Sequence, residues 1–478
     1  MVKADNLKLT FCGGAGSVTG ANYLLESGNS RVLVDCGLFQ GSKELETKNA
    51  ERFSYDPKTI DAVIITHSHL DHIGRLPQLI AGGFAGKIFA TPPTIDFTRL
   101  ILEDSVKILM EKAEHAGVLP LFGQREVDHV MDHFVAVDYY QKTKAAEGID
   151  FTYHEAGHIL GSAVAEVEVV DLSLSAETDP ERASKKIIFS GDLGNPPVPL
   201  LRAPDFLEEA DYIILESTYG DRNHEPAATC QEVVENAIED TVARCGVLMI
   251  PSFAMERTQQ LLYHLNNLAE NHRIPRLPIF IDSPLAIKIT EVYKKYPQYY
   301  NKEAIFNIDS GDDIFKFPGL EFTEASKDSK KINNVPPPKV IIAGSGMSQG
   351  GRIMHHELLY LGDPQNTLLI ITYQAEGTLG RKIAEGAKRV EILDREVAVR
   401  AKVQMLSGYS AHADQQFLME WVRHFKKNHQ VDRGKGQGLK KVFVVQGEEG
   451  SSKTLAGLIK DELGIESYIP QPGEAIDL

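Results

Sequence analysis

In the first part of the chain the apolar residues come in short runs broken by glycine, the pattern of strands joined by tight turns. "LKLTFCGG", "ANYLLESGNSRVLVDCG" and "AVIITHSH" predict such strands, with a hairpin around Gly28-Asn29. A helical stretch follows at roughly 94–134, where "DFTRLILEDSVKILMEKAEHA" spaces its apolar residues at helical intervals. Strand texture returns in "SAVAEVEVVDLSL" and "KKIIFSGDLG", on either side of the charged loop "AETDPERAS". After "ADYIILESTYG" the pattern changes. Apolar runs such as "GVLMIPSF", "PIFID", "KVIIAGSG" and "LLIIT" now alternate with helical runs such as "RTQQLLYHLNNLAE" and "PLAIKITEVYKKYP", which signals βαβ units around a parallel sheet. "VPPPK" reads as a rigid loop inside that unit. From about residue 386 strand-like texture resumes ("EVAVRAKVQML", "KVFVVQG"), with one more helix in "DQQFLMEWVRHFKKN". The order is thus a β-rich part, an α/β part and a return to the first, with boundaries expected at 1–217, 218–385 and 386–478.

Composition narrows the class. At 478 residues the chain is long enough for about two to three domains. Acidic residues outnumber basic ones, 67 to 50, giving a formal net charge of −17. A global basic field that would coat nucleic acid is therefore excluded, and a polyanionic substrate needs a local basic cleft. The N-terminal stretch lacks a long apolar segment, and nowhere do about 18 apolar residues run together, so a cytoplasmic protein with no membrane span is expected. Cys12, Cys36, Cys230 and Cys245 are scattered without a CxxC pair. Any metal must rest on histidine and carboxylate.

The chemistry concentrates in "VIITHSHLDH". His67 and His69 stand two apart at the end of a buried strand and project to one side, and Asp71 and His72 follow as the chain turns into a helix. Imidazole with carboxylate suits zinc, with iron or manganese as alternatives. Six residues cannot enclose an ion by themselves, so distant ligands are expected. "AGHILGSA" offers His158, and "IIFSGDLG" offers Asp192, whose two oxygens can bridge a pair of ions. Singly, each has an ordinary reading too, as a core histidine and a turn-forming aspartate. Asp35, in "RVLVDCGLFQG", is either a turn residue or a carboxylate that orients a ligand histidine.

"HSHLDH" with His158, Asp192 and Asp35 resembles the metallo-β-lactamase fold, an αββα sandwich with a two-metal site at the edge of its sheets. By that resemblance the first ion takes His67, His69 and His158, the second takes Asp71 and His72, and Asp192 bridges them. "ILESTYGDR" then places Glu216 at a strand end before the α/β segment, and "SGYSAHADQQ" places His412 after it. This arrangement resembles the β-CASP nucleases, in which an inserted α/β domain caps the active site and the chain finally returns to the first domain. The similarity extends through "GGAGSVTGANYLLE", "GSGMSQGGR" and "QAEGTLGR". It is greatest to bacterial and archaeal RNA-processing enzymes related to the endonuclease that cleaves messenger RNA precursors before polyadenylation, in the short form without an RNA-binding KH extension.

The resemblance implies a zinc-dependent ribonuclease that cuts single-stranded RNA with metal-activated hydroxide, endonucleolytically and also from the 5′ end. Asp71, Asp192, Glu216 and His412 would be catalytic, with His412, polarised by Glu216, protonating the leaving 3′ oxygen or binding the scissile phosphate. "AGSGMSQGGR" offers closely spaced backbone N–H groups at Ser345, Gly346 and Ser348, with Arg352 nearby, as a phosphate-holding loop; a Gly-rich turn without function is the other reading. Arg381 is a second phosphate contact, or with Lys388 and Arg389 merely solvates a helix. A homodimer is compatible with the resemblance.

One position departs from the pattern. The family carries a further histidine on its last strand, in a context like "VVHGE", where this chain reads "KVFVVQGEEG" with Gln446. A carboxamide oxygen is a harder and weaker zinc ligand than imidazole. Three outcomes compete: a weakened second site, a second site holding manganese, or a one-metal protein of little hydrolytic power. Two rival functions stay open, an RNA-binding or scaffold subunit without catalysis and a small-molecule metallo-hydrolase.

Overall fold

The computed structural model describes residues 7–170, 184–224, 228–372, 374–375, 377–406, 410–429 and 438–478; most of the charged loop "AETDPERAS" lies outside them. The chain forms two compact units. One combines residues up to Pro196 with Ala203–Asn223 and His412–Leu478, and the other combines Pro197–Arg202 with His224–Ala411.

The first unit is built on two seven-stranded sheets. One sheet runs in the order Ala475–Asp477, Lys8–Gly13, Asn22–Ser27, Ser30–Val34, Ala62–Ile64, Lys87–Ala90 and Phe134–Ala136. The other runs Ser467–Tyr468, Lys441–Val445, Tyr212–Glu216, Ser184–Phe189, Ala163–Val170, Ile149–Glu155 and Thr143–Ala146. Period-two alternation turns one row of each inward: Leu9 and Phe11 from the first sheet, and Ile149, Phe151 and Tyr153 from the second, are buried in one shared cluster. The opposite rows are covered by helices. Leu33, Val63 and Ile88 pack with Leu79 of Leu76–Ala81 and Val127 of Gln124–Asp132. Ile188, Ile213 and Val444 pack with Trp421 of Gln415–His429 and Leu455 of Glu449–Leu463. The architecture is therefore the αββα sandwich that the motifs implied.

The hairpin at Gly28-Asn29 is present, with Ser27 paired to Ser30 across a two-residue turn. The helical stretch expected at 94–134 is two helices, Pro92–Ala116 and Gln124–Asp132. Gly117, at φ 66°, ends the first, and the Val118 N–H donates back to the Ala113 carbonyl. The apolar periodicity carries no sign of this stop.

The second unit holds a six-stranded sheet in the order Leu320–Phe322, Ile279–Asp282, Lys339–Ala343, Val247–Pro251, Thr367–Ile370 and Lys402–Met405, every pair parallel. Strand and helix alternate along it, as the apolar pattern anticipates. This unit continues past residue 385: Arg389–Ile392 and Arg395–Ala398 form a hairpin, and Lys402–Met405 pairs with Thr367–Ile370. The strand-like texture after 386 thus belongs to this unit until His412. Among the described residues no helix is long and apolar enough to cross a membrane.

Trp421 is the largest fully buried side chain, and its indole N–H donates to the Asp205 carbonyl. Trp421→Ala leaves a large void and an unpaired buried carbonyl, and is expected to cost about 3–5 kcal/mol. Chemical denaturation of the two proteins, compared at equal slope, measures the loss.

Candidate metal centre and active site

Parallel strands present their carboxyl ends to one edge, and in the first unit those ends carry the chemistry. Ser30–Val34 is followed at once by Asp35, and Ala62–Ile64 leads into His67 and His69. In the other sheet, Ser184–Phe189 leads to Asp192, Tyr212–Glu216 ends on Glu216, and Lys441–Val445 is followed by Gln446. The first two loops are stitched together: Cys36 N–H donates to the His72 carbonyl, Ala21 N–H to the Asp71 carbonyl and Gly37 N–H to the Ala21 carbonyl. A Cβ on Gly37 would lie 1.5 Å from the Asp71 carbonyl oxygen, so this approach requires glycine.

Among the described residues two groups of candidate ligands converge: His67, His69, His158 and Asp192, and Asp192, Glu216 and His412, with the donor atoms of each group within 4.8 Å of one another. In the first, His69 Nδ1 lies 3.1 Å from both His67 Nε2 and His158 Nε2. Asp192 Oδ2 is 3.4 Å from His67 Nε2 and 3.5 Å from His158 Nε2. A tetrahedron of ligands about 2.0–2.1 Å from zinc has edges of roughly 3.3–3.4 Å, so these spacings fit one ion. Burial, with neighbouring imidazoles, holds His69 and His158 well below the ordinary histidine value, in the neutral form that binds metal.

The other side of Asp192 is furnished by His72, Asp71 and Gln446. Its Oδ1 lies 3.5 Å from His72 Nε2, and Asp71 Oδ2 stands 3.8 Å from that nitrogen. The Gln446 amide nitrogen intrudes, 2.8 Å from His72 Nε2 and 3.3 Å from Asp192 Oδ1. Burial raises the Asp71 carboxyl above the usual range, reinforced by Asp192 against the pull of His72. Burial opposes the charge of Asp192 as well, but His72, His67 and His412 outweigh it and hold that carboxyl well below the usual range.

Asp35 is buried and saturated with donors: Thr66 N–H and Thr66 Oγ1 at 2.8 Å each, and His72 Nδ1 at 2.7 Å. It fixes the rotation of the His72 ring. Thr66 and Tyr23, which meets Gln446, escaped the reading of the sequence; Thr66 sits directly before the first histidine, whereas nothing in "GANYLLE" marks Tyr23.

Glu216 is fully buried, accepts from Leu193 N–H at 2.6 Å, and lies 3.1 Å from His412 Nδ1. Burial works against a charged His412, yet the carboxylates of Glu216 and Asp192 raise it to about 9.

The residues proposed for phosphate lie in the second unit. Ser345 and Ser348 N–H groups donate to the carbonyls of Gly350 and Ser345, and the Ser348 hydroxyl donates to Glu357 at 2.5 Å. The Gly346 carbonyl accepts from Thr372 and Gln374. Arg352 is engaged by Asp282 at 2.7 Å and by the carbonyls of Thr323 and Glu324. These bonds hold the loop's own shape, and they engage the Ser345 and Ser348 N–H groups and the Arg352 guanidinium. Arg381 is 41% exposed and pairs with Glu385.

A buried three-histidine, one-carboxylate cage at the edge of an αββα sandwich defines a metal-dependent hydrolase. Family models match three stretches: a metallo-beta-lactamase superfamily domain over residues 24–170, a Beta-Casp domain over 258–383, and a Zn-dependent metallo-hydrolase RNA specificity domain over 396–470. The chain is 37% identical to Ribonuclease TTHA0252 of Thermus thermophilus over 450 residues, covering 94% of each. It is 31% identical to an RNase J-like protein of Methanocaldococcus jannaschii, covering 98% of this chain and 99% of that one. It is 30% identical to the transcription termination factor FttA of Methanosarcina mazei, covering 96% of this chain and 70% of the relative. A solved Enterococcus faecalis protein of unknown function shares the fold, with a TM-score of 0.53 and 12% identity, covering 99% of this chain and all of that one. The chain belongs to the β-CASP family of metal-dependent nucleases with the metallo-β-lactamase fold.

In the metal-free protein the His412 ring is expected to stay protonated past pH 7 and to titrate near pH 9. Glu216→Gln removes the carboxylate that raises it, so the midpoint falls towards about 6.5. A histidine-ring NMR titration reads both midpoints; an unmoved midpoint in the variant would deny Glu216 that role.

Proposed function

We propose that the protein is a zinc-dependent ribonuclease that hydrolyses phosphodiester bonds in single-stranded RNA. One observation carries the reading: the His67, His69, His158 and Asp192 cage shares its carboxylate's surroundings with His412, whose ring is paired with Glu216. A zinc ion held there would supply positive charge to a phosphoryl oxygen and lower the pKa of water towards neutrality. His67, His69 and His158 would hold the ion through their ring nitrogens, and Asp192 would supply the one negative ligand. Glu216 accepts from His412 Nδ1, which leaves the proton on Nε2 for the departing 3′ oxygen as its bond to phosphorus breaks. With a value near 9, His412 is a charged partner for the scissile phosphate at neutral pH. The names of the relatives, a ribonuclease and an RNase J-like protein, support RNA as the polymer.

His67→Ala breaks the cage without touching the His412–Glu216 pair. It is expected to lose bound zinc and to reduce cleavage of a labelled single-stranded RNA by at least about a hundredfold, read in parallel assays with zinc and manganese. RNA bound but uncut by the zinc-loaded wild type would instead favour a scaffold role.

Arg381 is proposed as a contact to the RNA backbone, its exposed pair with Glu385 being weak enough to exchange. Arg381→Gln should weaken RNA binding regardless of sequence and reduce the slope of log K against log salt by about one, in a fluorescence anisotropy series.

A further inference from the structure

The two faces of Asp192 are furnished differently. Oδ2 looks into the cage of imidazole nitrogens, whereas Oδ1 looks towards His72 and the amide nitrogen of Gln446. Resting on the reading that the cage holds a divalent cation, we propose that the protein takes that single ion and that the Gln446 carboxamide fills the place of a second. In doing so it donates to Asp192 and stands against His72.

Two independent contacts fix which way these groups face. Asp35, which can only accept, takes the proton of His72 Nδ1 at 2.7 Å, which turns His72 Nε2 towards Gln446 and Asp192. Tyr23, deep in the sandwich, donates its hydroxyl towards Gln446 Oε1 at 3.4 Å, which turns the amide N–H2 to the opposite side. There the amide nitrogen donates to Asp192 Oδ1 at 3.3 Å and lies 2.8 Å from His72 Nε2. A cation would need lone pairs from the same directions, and an N–H donor offers none.

The Gln446 backbone holds this aim. Its N–H donates to the Gly14 carbonyl at 2.7 Å, its carbonyl accepts from Thr218 Oγ1 at 3.2 Å, and its φ of 48° places it in the left-handed region. Gln446 is therefore a positioning residue: it holds Asp192 and His72 where a second ion otherwise would, with no charge of its own. Asp71, 3.8 Å from His72 Nε2, is left as a neighbour of that pair and not as a ligand.

Metal content decides the matter independently of catalysis. Wild type, Gln446→Glu and Gln446→His are saturated with zinc, desalted and analysed by inductively coupled plasma mass spectrometry. Gln446→Glu keeps the shape of the side chain but replaces N–H2 with a ligand oxygen. The expected result is one zinc per chain for wild type and two for either variant. With manganese, electron paramagnetic resonance should show an isolated ion in wild type and an exchange-coupled pair in the variants. Two ions in wild type would overturn the proposal, and so would variants that hold one ion like wild type. A wild type with no zinc would overturn the cage itself, and with it the function proposed above. Retention of the first ion in the variants shows that they are folded.

Discussion

Everything at the active edge is arranged around a carboxylate that has been taken out of water. Asp192 is buried, and a buried charge is tolerated only where other groups compensate for lost hydration. Its compensation comes from four separate parts of the chain: His67 and His72 after one strand, His158 from a Gly-flanked loop, His412 after the second unit, and Gln446 after a late strand. Removing any one leaves charge unmatched, so the loops that carry these residues cannot relax independently. The cage for a cation is the geometric outcome of that constraint. Asp35 and Glu216 repeat the device one layer out, each buried and each saturated by donors that orient a histidine.

Much of this was legible in the residues because strand ends are legible. A run of branched apolar residues followed by a polar one marks where a buried strand meets solvent or a site, and Asp35, His67, Asp192, Glu216 and Gln446 all stand at such points. The parallel sheet followed from the alternation of strand and helical runs, and the sandwich from the resemblance that the metal-ligand motifs carry. What could not be read was decided by contacts distant in sequence. Tyr23 lies on an ordinary-looking strand, and only the folded sheet brings it to Gln446. The helix stop is marked by Gly117 and Pro120, which apolar spacing taken alone passes over. The stretch after residue 386 has the texture of a return to the first domain, yet Lys402–Met405 pairs with Thr367–Ile370 in the sheet of the second unit.

The glycine-rich loop of the second unit teaches a related lesson. Its serines and Arg352 suggested an anion cradle, because closely spaced N–H groups and a guanidinium are what an anion needs. The fold supplies the anions from within. Asp282 takes Arg352, His356, Ser329 and Thr323, and these partners depress its carboxyl strongly against the cost of burial. Glu357, beneath Ser348, is pushed up to about 8 by burial and so stays protonated. A motif lists donors and cannot say whether their acceptors are already present.

The threading of the first unit has a consequence for the nascent chain. Its opening strand pairs with Ala475–Asp477, and Tyr212–Glu216 pairs with Lys441–Val445, while the second unit is nearly continuous in sequence, mostly His224–Ala411. During synthesis the second unit can therefore close while the first still lacks its final strands. His412 and Gln446 emerge later still. A ribosome translating this message thus carries an unfinished hydrolase whose catalytic edge is assembled only after the second unit has emerged and Lys441–Val445 and Ala475–Asp477 are available to pair.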